Sequence, residues 1–128
     1  MGIQICIAMA EAKDYNFSNI IREIIKKSLF TERQIEIILN RKNLLEIEFN
    51  ISKGAYFRQV SQSRNKIIAF YYSMVLLRGL EILSPDDIDV MSRLSEQVSV
   101  IQNSDVFPER EHQLMDVINK AIRQTAGL

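Results

Sequence analysis

Residues 51–66 read Ile51-Ser52-Lys53-Gly54-Ala55-Tyr56-Phe57-Arg58-Gln59-Val60-Ser61-Gln62-Ser63-Arg64-Asn65-Lys66, and the rest of the chain is arranged around them. Ser52 is a good helix N-cap, and no Pro, Asp or Glu interrupts the residues after it. Tyr56, Val60, Ser63 and Ile67 recur at i, i+4, i+7 and i+11, which places them on one helical face. Around that face lie Lys53, Arg58, Gln59, Gln62, Arg64 and Lys66. Lysine and arginine pair with phosphates, and arginine and glutamine also pair with base edges. The acid-free window is longer still, since no Asp or Glu occurs between Glu48 and Glu81. A helix packed on one face and cationic on the other suits the major groove of double-stranded DNA, and these six residues are the candidate contacts.

The chain has 128 residues, enough for one domain with its own core. Its formal charge is zero, but the charge is unevenly spread. From Ser52 to Leu80 the cations Lys53, Arg58, Arg64, Lys66 and Arg78 face no acid, whereas nine acids face four bases from Glu81 onward. A basic segment with an acidic tail is the pattern of a local electrostatic footprint beside a separate assembly region. The single cysteine, Cys6, excludes an intramolecular disulfide and fits a reducing compartment. The start Met-Gly-Ile-Gln-Ile-Cys lacks the features of a signal peptide, so a cytoplasmic location is expected.

Around the basic stretch the pattern is helical. Phe17, Ile20, Ile21, Ile24, Ile25 and Leu29 form an apolar stripe backed by Arg22, Glu23, Lys26 and Lys27. Thr31 and Gln34 make a Thr-x-x-Gln capping box, predicting a helix from about Glu32 with Ile35, Ile38 and Leu39 inward. Leu45, Ile47 and Phe49 alternate with Glu46 and Glu48, the pattern of a half-buried strand, although a short helix also accommodates Leu44 to Phe49. Residues 67–83 are apolar on nearly all sides. The charge-free run from Ile67 to Leu77 is too short for the ~20 residues of a membrane span. A core or a subunit interface is therefore expected, with Ile67, Phe70, Tyr71, Met74, Val75 and Leu77 as a homodimer seam. Ser84-Pro85-Asp86-Asp87 starts a further helix with Ile88, Met91, Leu94, Val98 and Ile101 inward. Asn103-Ser104-Asp105 breaks it, and Pro108 opens a last helix burying Leu114, Met115, Ile118, Ala121 and Ile122. Residues 1–14 read as strand or helix, and a helix or an ordered arm is preferred because no partner strand is evident.

Two landmarks carry a resemblance. Ile51-Ser52-Lys53-Gly54-Ala55-Tyr56 followed by Arg64 and Lys66 resembles the recognition helix of sigma-factor region 4 and of related response-regulator DNA-binding domains. Phe30-Thr31-Glu32-Arg33-Gln34 is similar to the entry of the first helix in the same domains. The resemblance covers residues 30–66 and implies a helix-turn-helix, with a short supporting helix at Leu44 to Phe49. The interval between the landmarks is shorter than in that family, and Glu46 stands where the family has a small residue. The expected architecture is one all-α domain over residues 1–128. Its helix-turn-helix portion spans 30–66, and its core and dimerisation portion spans 67–128, with a long apolar helix and two amphipathic helices.

The chemistry of catalysis is sparse. His112 is the only histidine and reads as a surface residue. No His/Cys spacing suits zinc, no glycine-rich loop suits a nucleotide, and Asp86, Asp87 and Asp89 are explained by a helix start. The expectation is a transcriptional regulator without cofactor or metal, acting as a homodimer on DNA. The alternative is a non-enzymatic interaction module or scaffold that uses the apolar segment 67–83.

Overall fold

A computed structural model describes residues 16–102 and 108–128. The expectations for residues 1–14, for Cys6 and for the break at 103–105 lie outside it. Among the described residues there are five helices and no strand: α1 (Asn19–Lys27), α2 (Glu32–Arg41), α3 (Lys53–Gly79), α4 (Pro85–Gln102) and α5 (Pro108–Ala126). The chain gathers into two compact units, the first holding Arg22–Tyr72 and the second Ser18–Ile21 with Ser73–Leu128.

Each helix of the first unit starts and stops for a local reason. Ser28 folds over the end of α1, its hydroxyl donating to the Ile25 carbonyl at 2.8 Å and accepting from Phe30 N–H at 3.1 Å. The capping box then opens α2: Gln34 N–H donates to Thr31 Oγ1, and Thr31 N–H donates to Gln34 Oε1, both at 3.1 Å. Asn43 ends α2 by adopting a left-handed backbone at φ 58°, a conformation asparagine tolerates better than most residues. Ile37 is the buried centre of α2 at 0 % exposure, while the expected Ile35, Ile38 and Leu39 are only half-buried.

Residues 44–49 form no helix, so the short supporting helix is corrected. The segment is irregular, and its burial alternates. Leu45 is buried and Ile47 and Phe49 are half-buried, while Glu46, Glu48 and Asn50 face solvent. A helix would have had to bury a different set, and the two-residue period prevails. The segment is pinned at both ends. Asn40 Nδ2 donates to the Leu45 carbonyl at 3.3 Å, and Asn40 Oδ1 accepts from the Tyr56 hydroxyl at 2.8 Å. The Phe49 ring lies 5.4 Å from Tyr56, with the Arg33 guanidinium 5.5 Å from the Phe49 centroid. The α2–α3 connection is therefore an eleven-residue braced strap. It is much longer than the ~3–4 residues of a helix-turn-helix turn.

Ser52 caps α3 as expected, with Ala55 N–H donating to its hydroxyl at 3.1 Å. Val60 and Ser63 are buried and Tyr56 and Ile67 half-buried, the predicted inward face. The basic stretch and the apolar run form one uninterrupted helix of 27 residues, about 40 Å long at 1.5 Å per residue. It ends where Glu81 turns left-handed at φ 61° and Arg78 donates to the Leu83 carbonyl at 2.7 Å.

The second unit is built on α4 and α5. Ser84 and Asp87 cap α4 reciprocally, at 2.9 and 3.1 Å. The predicted stripe Ile88, Met91, Leu94, Val98 and Ile101 is the covered face of α4, though each residue is only half-buried. Met115 and Ile118 are the buried residues of α5, and Ile122, expected inward, is exposed. Glu111, in the first turn of α5, accepts from Ile20 N–H at 3.2 Å. A carboxylate there satisfies one of the free amide groups that open α1.

Candidate nucleic-acid interface

Between Lys53 and Gly79, α3 carries five cations and no carboxylate. Residues 22–72 hold ten cations against five carboxylates, whereas residues 73–128 hold five against nine. Charge is thus segregated along the chain.

The six predicted contacts do not share one face. Arg58 and Gln62 are exposed and, four residues apart, project together opposite the buried Val60 and Ser63 side. Lys53 and Arg64 are exposed on a flank about 120° or more away from Arg58, beside the exposed Phe57. Gln59 is half-buried at the opposite edge. Lys66 is committed within the fold: its ammonium donates to the Leu29 carbonyl at 2.7 Å and to Gln34 Oε1 at 2.8 Å. It joins the loop after α1, the cap of α2 and the middle of α3, which gives it a structural role.

Arg64 instead converges with two cations that the sequence reading passed over, Arg41 and Lys42 at the end of α2. These three rim a groove between α2 and α3, and the groove contains no carboxylate. Among the described residues none of the three is in an ion pair. The adjacent Arg41-Lys42 pair was the available signal, but it reads first as a polar loop because Asn40 and Asn43 flank it.

The six residues of the expected dimer seam differ in exposure. Ile67, Met74 and Leu77 lie on the half-covered side of α3, whereas Phe70, Tyr71 and Val75 are exposed. The most open residues also include Tyr72 at 74 % and Leu76 at 58 %, beside Val75 at 72 %. Tyr71, Tyr72, Val75 and Leu76 form a stripe at helical spacing, uncharged and in water. His112 is exposed and 3.8 Å from Asp116 on the same exposed surface. Among the described residues no cluster of His, Cys, Asp and Glu could hold a metal ion, and no helix is long and apolar enough to cross a membrane. Comparison of the chain with protein-family models, curated proteins and solved structures finds no match.

The division of labour between Lys66 and Arg58 is measurable. Lys66→Ala removes two hydrogen bonds from a charged donor and leaves the Leu29 carbonyl and Gln34 less well satisfied. It should lower unfolding stability by about 1.5–3 kcal/mol. Arg58→Ala, on the open face, should stay within about 0.5 kcal/mol of the parent. Urea titration of the two variants checks this, and equal stabilities would remove Lys66 from its structural role.

Proposed function

We propose that this chain is a non-enzymatic DNA-binding protein that engages the duplex with its basic first unit and functions as a homodimer. The observation that carries the reading is the charge on α3 and its surroundings. An exposed helix with Arg58 and Gln62 outward and Lys53 and Arg64 on its flank offers an amide and cations to a groove. Arg41 and Lys42 add phosphate contacts from a second helix. The acidic second unit would be repelled by the phosphates and is suited to lie away from them. With no helix at residues 44–49, the reading rests on α3 itself and not on the supporting helix of sigma-factor region 4.

Pairing rests on the stripe Tyr71, Tyr72, Val75 and Leu76. It carries no charge, so a two-fold arrangement sets no like charges together and buries the same patch on both copies. The same stripe favours the second reading, an interaction module whose partner is another apolar protein surface.

Fluorescence anisotropy with a labelled duplex separates the two readings. DNA binding should weaken steeply between 50 and 200 mM salt, as displaced counterions require. Replacing Arg41, Lys42 and Arg64 by Ala together should reduce the slope of log K against log salt by about 0.9 for each phosphate no longer neutralised. Binding that is absent at low salt, or that ignores salt, leaves the interaction module as the function. Sedimentation at micromolar concentration tests pairing: the parent should run as a dimer and Tyr72→Glu as a folded monomer, with a lower melting temperature because the stabilisation from pairing is lost. A monomeric parent that still binds DNA would remove the homodimer.

A further inference from the structure

The groove between α2 and α3 has a feature that DNA contact does not use. Its floor is aliphatic, made by Ile37, Ile38, Val60, Ile67 and Ile68, and its volume is about 210 Å³. Ser63 also lines it, 2 % exposed, and its Oγ has no hydrogen-bond partner. A serine inside a helix commonly returns its hydroxyl to the carbonyl one turn back, and this one does not. A buried hydroxyl left unmet is costly, so its position at the wall of a groove calls for an acceptor. Among the described residues, Arg41, Lys42 and Arg64 stand at the rim without carboxylate partners.

We propose that this groove is a binding site for a small aliphatic carboxylate. The carboxylate accepts from Ser63 Oγ and faces the guanidinium groups of Arg41 and Arg64, and the hydrocarbon tail lies on the isoleucines. Size sets the class. The cavity is smaller than the ~300–1,000 Å³ of drug-sized sites. A short-chain carboxylate such as hexanoate is of that smaller scale. A bare inorganic anion leaves the apolar floor wet, and an uncharged alcohol leaves the cations unanswered. The site goes beyond the DNA reading and shares Arg41 and Arg64 with it, whereas Ser63 and the isoleucine floor serve the carboxylate alone, so the titration is made without DNA.

The test is a titration of the ¹⁵N-labelled full chain with hexanoate, followed by amide shifts and compared with acetate, butyrate, hexanol and inorganic phosphate. Hexanoate at millimolar concentration should shift the amides of Ile37, Ser63 and Ile68 to saturation. Affinity should climb about fourfold per methylene from acetate to hexanoate. Hexanol should bind at least tenfold more weakly than hexanoate, and Arg64→Gln and Ser63→Ala should each cost about tenfold. Equal binding of hexanol, or of phosphate, would overturn the site, as would hexanoate shifts that are absent or indifferent to Arg64→Gln. Arg64 is exposed, so its variant keeps the test valid even if Ser63→Ala perturbs packing.

Discussion

One lysine ammonium ties together three elements of the first unit that already share the apolar core around Ile37, Leu45 and Val60. Lys66 reaches from the middle of α3 to the Leu29 carbonyl and to the same Gln34 carboxamide that caps α2. Gln34 is itself buried, and its bond to the ammonium is part-buried while the bond to Leu29 lies at the surface. The second anchor is Asn40, whose amide spans the Leu45 carbonyl and the Tyr56 hydroxyl and so fixes the strap against the start of α3. Between these two ties α3 can rotate little about its axis. Which cations face outward is thereby determined: Arg58 and not Lys66.

The same helix changes character along its length. Its first half is cationic and packed on one face by Tyr56, Val60 and Ser63, whereas its second half exposes tyrosine, valine and leucine on the solvent side. An apolar stripe of that kind is stable in water chiefly when something covers it. The proposed DNA contact and the proposed pairing surface thus occupy successive stretches of one continuous helix. Such an arrangement couples the spacing of two basic segments to the geometry of the pair.

Much of the fold was legible in the residues. Thr31 with Gln34, Ser52 and Ser84 with Asp87 each marked a helix start, because capping is local chemistry that tertiary packing seldom overrides. The inward face of α3 came from the spacing of Tyr56, Val60 and Ser63. Leu45, Ile47 and Phe49 also carried their true period of two, and only the resemblance to sigma-factor region 4 argued for a helix there. What could not be read was tertiary. The burial of Ile37 over Ile38, the capture of Lys66 by a carbonyl 37 residues away, and the covered side of residues 67–77 depend on where neighbouring helices lie. In a run apolar all round, such as Ile67 to Leu77, no polar residue marks the open face.

Contact between DNA and the first unit, with α3 at its centre, is tested most directly by amide-shift mapping of the ¹⁵N-labelled chain with a short duplex at low salt. Perturbations should concentrate at Arg41, Lys42 and Lys53 to Arg64 and leave α4 and α5 unmoved. Shifts confined to residues 73–128, or none at all, would contradict DNA binding by this unit.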